Sequence, residues 1–365
     1  MKRLKVFSAL ALSAALVSPS LNSVQAASHS QLPYTQTGAN YMYSNTPEAI
    51  EGSDSGYKHR FEAGKYSYYT LQRYTEPNKE YVAEFYNHNN AGATTDLTFG
   101  YAVYNGSNTT KYVTIKNDSI KSGTQSRTNS MDVASQMEIA YMNDTQTERI
   151  AVPAWGSAIM KQQTIRGGNT ITGKLKFTTD GNLTVRQFVS KKNGSTFPTA
   201  TDIMDLNKTP QVKISKSEQT TANYRTDTRK ATVDYNTTRS FYVGAMGPHP
   251  DPVIEKTFDL SRVGFNEYET PIDKIGPQYT LHGNYGILYE FTIKNGAGKR
   301  IKIDPSFYST NGTTPSTFVY FDGTKWTQAP RIENGSHIVT IPSNGVFKYI
   351  LPGGTNGVKL FNFID

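Results

Sequence analysis

The sequence predicts an all-β protein built as two antiparallel β-sandwich-like domains with one short helix, and three observations predict it. β-Branched and aromatic residues fall in short runs from end to end, Asn-Gly or Asp-Gly pairs punctuate them, and a single segment carries helical spacing. The pairs begin at Asn105, Asp180, Asn193, Asn295, Asn311, Asp322, Asn334, Asn344 and Asn356, and each favours the positive φ values of a tight hairpin turn. No repeat of fixed period is visible, which argues against a propeller or a solenoid.

The first element is an address. Lys2, Arg3 and Lys5 precede an apolar stretch from Val6 to Val17, and Val24-Gln25-Ala26 places small residues where a signal peptidase needs them. Residues 1–26 therefore read as a cleaved signal peptide and residues 27–40 as a flexible N-terminus. The apolar stretch is short for a membrane span, and nothing later approaches the roughly 20 apolar residues of a transmembrane helix. The expected localisation is secreted, either extracellular or loosely associated with the cell wall. With no cysteine there is no lipobox, disulfide scaffold, thiol nucleophile or thiolate metal site, and the C-terminal Leu-Phe-Asn-Phe-Ile-Asp shows no sorting signal.

Residues 41–195 read as the first sandwich. Its strands include Glu80 to Tyr86, Leu97 to Tyr104 and Lys111 to Ile115, then a hairpin from Lys174 to Val189 turning at Asp180-Gly181. Leu175 and Phe177 alternate with Lys174 and Lys176, the period of two expected where one sheet face is buried and the other wet. The helix lies between these strands: Ser130 is its expected cap, and Met131, Ala134, Met137 and Tyr141 share one face, with Glu138 in the same recurrence. Its expected role is packing over one end of a sheet. Polar residues accumulate over residues 196–220, which read as a linker. Residues 221–365 form the second sandwich, with a hairpin from Phe318 to Thr327 turning at Asp322-Gly323.

Charge excludes little but points somewhere. The formal net charge of +8 falls to +5 without Lys2, Arg3 and Lys5, and no dense Lys/Arg block is present, so no nucleic-acid partner is expected. A mild basic excess suits anionic wall polymers as well as plain solubility.

The candidate ligand-binding residues are His249, Asp251, His282 and Trp326. His249 and Asp251 lie in Gly247-Pro-His-Pro-Asp-Pro, whose prolines hold the chain extended and put the two side chains on one side. That run reads either as a ligand pair or as a stiff lead-in to the strand Val253-Ile-Glu-Lys-Thr-Phe. A metal site needs three or more ligands, and the other five histidines show no His-x-His or His-Glu-x-x-His spacing, so no metal and no cofactor is expected. Nucleophile elbow, P-loop, dinucleotide fingerprint and zincin helix are all missing, and Ser157 in Ala154-Trp155-Gly156-Ser157 has no catalytic motif around it. Paired carboxylates of a glycoside hydrolase come from distant strands and leave no spacing to read. The 24 tyrosines, clustered in Tyr66-Ser-Tyr-Tyr and Tyr41-Met-Tyr, read as strand residues or as flat rings for stacking on sugars, and Trp326 as the exposed platform.

Four stretches in chain order carry a resemblance: Tyr41-Met-Tyr-Ser-Asn-Thr-Pro-Glu-Ala-Ile, Glu84-Phe-Tyr-Asn-His-Asn-Asn, His282-Gly-Asn-Tyr-Gly-Ile-Leu-Tyr and Leu351-Pro-Gly-Gly-Thr-Asn-Gly. They resemble secreted proteins of Gram-positive, spore-forming bacteria of the Bacillus and Paenibacillus type, which often carry a copper amine oxidase N-terminal-like, or stalk, domain. The stalk is not seen here, nor are a His-x-His copper pair and the Thr-x-x-Asn-Tyr-Asp/Glu cofactor motif, so amine oxidase activity is expected to be absent. The resemblance implies a secreted, envelope-associated β protein. Two functional expectations follow: a non-catalytic protein that binds wall polymers or polysaccharide, or a carbohydrate-active or metal-dependent hydrolase whose site assembles from distant loops.

Overall fold

The computed structural model describes residues 32–45, 47–51, 58–213, 221–243, 269, 271–275, 281, 284–304, 316–332, 335–355 and 359–364. Its strands are β1 (Thr35–Thr37), β2 (Asn40–Ser44), β3 (Ala49–Ile50), β4 (Lys58–His59), β5 (Ser67–Tyr74), β6 (Glu80–Asn89), β7 (Leu97–Tyr104) and β8 (Lys111–Thr124). Helix α1 (Arg127–Asn143) follows, then β9 (Glu148–Val152), β10 (Ser157–Ile165), β11 (Asn169–Thr179), β12 (Thr184–Lys191) and helix α2 (Ala200–Met204). The rest is β13 (Thr221–Tyr224), β14 (Thr228–Asp234), β15 (Ser240–Val243), β16 (Asp273–Ile275), β17 (Leu288–Lys294) and β18 (Arg300–Asp304). Last come β19 (Val319–Phe321), β20 (Trp326–Gln328), β21 (His337–Thr340), β22 (Val346–Ile350) and β23 (Lys359–Ile364).

The architecture is all-β and sandwich-like, as the punctuation predicts. A nine-stranded sheet, ordered β16-β13-β2-β6-β11-β8-β9 with β3 beside β6 and β4 beside β3, faces the four-stranded sheet β10-β7-β12-β5. Between them lie Met42, Phe85, Leu175 and Phe177 from one side and Phe99, Tyr101, Val185 and Val189 from the other. The six-stranded sheet β1-β14-β17-β22-β19-β20 and the four-stranded sheet β15-β23-β18-β21 close over a second core of Phe241, Phe291, Ile301, Phe347 and Phe361. Most ladders are antiparallel, but β2 pairs with β6 and β14 with β17 in parallel. Alternation along β2 joins the two cores: Met42 enters the first, while Tyr41 and Tyr43 enter the second.

Three sequence expectations change here. The stretch read as a hairpin at Asp180-Gly181 is an arch, because β11 pairs with β6 and β8 in one sheet whereas β12 pairs with β5 and β7 in the other. Alternation cannot separate the two outcomes, since Leu175 and Val185 reach the same core from opposite sides. Pairs at Asn105, Asn295 and Asn344 likewise join strands of different sheets, whereas Asp322-Gly323 closes a hairpin, β19 to β20; Asn311, Asn334 and Asn356 lie outside the described residues. Secondly, residues 27–40 include β1, which pairs with β14 and is anchored by the edge of Tyr34 against Tyr289 at 5.7 Å. Likewise β13, assigned by sequence to the second sandwich, extends the nine-stranded sheet beside β2, and residues 196–220 contain α2, whose Ile203 packs on Ala102 and Phe188.

Thirdly, the cap of α1 is Ser126 and not Ser130. Ser126 is extended, with φ −156°, and its hydroxyl accepts from the Asn129 amide at 3.1 Å. Ser130 is buried in the first turn, with its Oγ 2.7 Å from the Thr170 hydroxyl. The polar turn Arg127-Thr-Asn hides the true start from a periodicity reading. Ser126→Ala should cost about 1 kcal/mol in a denaturant titration, because an orphan helix amide loses its acceptor.

Candidate functional site

His249, Asp251 and His282 lie outside the described residues. Trp326 is not an exposed platform: it is 8% exposed and packs with Val319 and Ile350 against Ile139 and Met142 of α1. The hairpin lies down on the helix, and Gln328 Nε2 donates to Asp132 Oδ1 at 2.8 Å, so the ring serves as an anchor. Tyr41, Tyr43 and Tyr68 are buried strand residues. Tyr66 is different, because it lines a cleft of about 550 Å³, within the usual size range of ligand pockets.

Four segments build this cleft. Gly64, at φ 75°, turns the chain into Tyr66 and Ser67 at the start of β5. Beyond β12, Asn193 and Thr196 close a tight turn through reciprocal backbone bonds of 2.8 and 3.3 Å. Phe197 and Pro198 lead to Thr199, which caps α2 by a reciprocal box: Asp202 N donates to Thr199 Oγ1 at 3.2 Å, and Thr199 N to Asp202 Oδ2 at 3.0 Å. After α2, Asn207 and Lys208 return to the wall; Lys65 Nζ donates to the Asn207 carbonyl at 2.6 Å, and the Ser67 and Thr209 hydroxyls bond each other.

Its lining combines aromatic rings, lysines and one carboxylate. Lys191 Nζ stands 6.0 Å from the centre of the Tyr66 ring and Lys192 Nζ 5.5 Å from that of Phe197, so both rings are held from the side of a cation. Asp202 is the carboxylate among the lining residues; its hydrogen bonds from Lys208 and Thr199 pull it down to about 2. A carboxylate that stays ionised accepts hydrogen bonds from hydroxyls but cannot donate a proton near neutrality. Around it the cleft offers the Asn193 and Asn207 amides and the hydroxyls of Tyr66, Thr196 and Thr199.

A second constellation is buried where the two cores meet. The sequence places Lys174 on a wet face with Lys176, but α1 covers that face and leaves Lys174 2% exposed. Its ammonium lies 3.0 Å from Glu84 Oε2, donates to Glu138 Oε1 and Oε2 at 3.1 and 3.0 Å, and donates to the Gly286 carbonyl at 2.7 Å. The Tyr41 hydroxyl adds a bond to Glu84 Oε2 at 2.8 Å. Burial, only partly offset by Lys174, raises Glu138 to about 8, while the two carboxylates raise Lys174 above the ordinary lysine range despite burial. Gly286, at φ 73°, is required at this point, since a Cβ there would strike the Glu84 carboxylate.

Beside this cluster a cavity of about 210 Å³ is lined by Glu80, Lys174, Lys176, Asp227 and Gly286. Hydrogen bonding to Lys116 leads the effects that lower Glu80, whereas burial raises Asp227. Among the described residues no group of three or more His, Asp or Glu is arranged to hold a metal.

The fold and cleft together define a sandwich-type β protein with a ligand-sized surface site. No family model and no curated protein matches the chain. Among solved structures, the CUB1-EGF-CUB2 domain of human MASP-1/3 is 8% identical over 80% of this chain and 99% of that chain, with a TM-score of 0.15. The L499M mutant of the laccase from B. aclada is 10% identical over 89% of this chain and 60% of that chain, with a TM-score of 0.16. Similarity this weak assigns neither fold nor activity.

Proposed function

We propose that this is a secreted, non-catalytic β protein that binds wall polymers or polysaccharide, with the Tyr66–Phe197 cleft as its glycan site. The observation that carries the reading is the composition of that cleft: two aromatic rings beside a ring of amides, hydroxyls and one carboxylate pulled down to about 2. A sugar presents an apolar C–H face and a hydroxyl rim, and these are the groups that match it. The signal-like leader, the mild basic excess and the resemblance to secreted envelope proteins support the same reading. Purified cell walls and insoluble polysaccharides should retain the protein in a pull-down, and Phe197→Ala should weaken retention about tenfold, the scale of one lost aromatic contact. Failure of every wall fraction to retain the wild type would overturn the reading.

One observation favours the hydrolase reading. Glu80 and Asp227 come from distant segments, line the same small cavity and have proton affinities pushed in opposite directions, the pattern of an acid and base pair. Asp227 is already committed, however, accepting from Ala39 N and Thr228 Oγ1 at 2.9 Å each. Chromogenic glycosides cleaved by wild type and not by Asp227→Asn would establish this alternative.

A further inference from the structure

The chain has two tryptophans, and the one in the open is Trp155, 65% exposed. It stands at φ 52°, in the left-handed region that a bulky side chain rarely adopts. The conformation is fixed from several sides. Trp155 N donates to the Ser107 carbonyl at 3.0 Å, Gly156 N to the Pro153 carbonyl at 3.0 Å, and Asn105 N to the Gly156 carbonyl at 2.9 Å. Asn105, fully buried, donates from Nδ2 to the carbonyls of Thr109, Val152 and Pro153 at 2.8, 3.1 and 3.0 Å. Two loops are thereby sewn into one rigid mount for a ring left in solvent, and strain held by so many bonds is a recurrent mark of a binding position.

Its surroundings narrow the ligand. The loop hydrogen-bonded to Trp155 exposes Asn108, Thr109 and Thr110, all uncharged donors and acceptors. The register Ser157↔Tyr104↔Thr184↔Tyr74 brings half-buried Tyr104 and the 73%-exposed Tyr74 to the same end of the four-stranded sheet. The cleft is at the other end, where Ser67 pairs with Ser190 and Leu97 with Lys191, roughly 25 Å away along an eight-residue strand.

We propose that Trp155 is an aromatic platform for a neutral pyranose ring of a polysaccharide, a second carbohydrate contact separate from the Tyr66–Phe197 cleft. The choice of a sugar rests on the reading given above for that cleft; the site itself rests on the exposed, rigidly held ring. Two contacts at opposite ends of one sheet make the protein bivalent towards a chain long enough to span them, so affinity rises with chain length without any new contact.

The test is tryptophan fluorescence, because Trp326 is buried and Trp155 dominates the solvent-accessible emission. Soluble β-1,4-linked hexasaccharides of glucose and of N-acetylglucosamine are titrated into the wild type, Trp155→Ala and the double variant Tyr66→Ala/Phe197→Ala. At least one sugar should shift wild-type emission to the blue and protect it from acrylamide, the double variant should keep that signal, and Trp155→Ala should lose about tenfold in affinity by calorimetry. Trp155→Gly should lose binding equally while melting no lower than the wild type, because glycine relieves the backbone. Calorimetric binding that Trp155→Ala leaves unchanged and the double variant abolishes would overturn this proposal and leave the cleft standing. The reverse pattern would overturn the cleft alone. No emission change with either sugar, or a change only with lipid vesicles, also overturns the platform.

Discussion

Lys174→Met should destabilise the protein by about 3–5 kcal/mol. The lysine is the cation of a buried cluster, with Glu84 and Glu138 within 3.1 Å of its ammonium and the Gly286 carbonyl at 2.7 Å. Removing it strands two carboxyl groups where water cannot reach them, since Glu84 is 1% exposed and Glu138 fully buried. The loss is one of electrostatic partners and not of packing: Glu84 is left without its cation and Glu138, protonated near neutrality, without the donor to both its oxygens, while methionine nearly keeps the volume. Combining Lys174→Met with Glu84→Gln and Glu138→Gln should therefore recover a large part of the stability, as buried ion clusters replaced by neutral groups often do. Equilibrium unfolding in urea reads both numbers. Equal stability of Lys174→Met and wild type would show that the cluster is not assembled as described.

The same cluster should make stability fall as pH rises. Burial raises Glu138 from 4.5 to about 8 in the folded protein, so between those values the folded state holds a proton that the unfolded state has released. The sign follows directly: stability is fully present below pH 4.5 and is lost as pH rises towards 8, at no more than about 1.4 kcal/mol per pH unit. Lys174, also raised, extends the loss above the ordinary lysine range. Two buried groups act oppositely, for burial lowers His59 to about 4 and Lys359 to about 7, and each adds stability as pH rises. The informative quantity is thus the difference between wild type and Glu138→Gln. Melting temperatures measured from pH 5 to pH 9 should show the wild type losing ground to Glu138→Gln up to about pH 8; parallel curves would contradict the assignment.

Strand positions and class were legible because alternation and turn pairs are local properties of the chain. Where a strand goes after its turn was not, since Leu175 and Val185 look the same whether β11 and β12 pair or face each other across a core. Lys174 shows the same limit: its alternation with Leu175 marks a strand correctly, but only the lid formed by α1 decides that its face is dry. Glu138 did give a signal, falling in the helical recurrence beside Met137 and Tyr141, and a charge on an apolar face asks for a buried partner. Tyr66 lines the cleft, whereas Tyr41, Tyr43 and Tyr68 from the same clusters went into the cores. Phe197, Asp202 and Lys208 were hidden in a segment read as linker, although Thr199 followed three residues later by Asp202 is a capping-box pattern and marks α2. Trp326 is buried where the sequence suggested an exposed platform, because exposure is a property of what lies on top of a strand, and the sequence shows no such neighbour.

The Tyr66–Phe197 cleft is the proposed glycan site. Calorimetric titration of soluble wall polysaccharide into the wild type and into Tyr66→Ala/Phe197→Ala tests it most directly. Binding should be saturable and should fall by about a hundredfold in the double variant, two aromatic contacts at about tenfold each, with the melting temperature unchanged. Identical isotherms for the two proteins would contradict it.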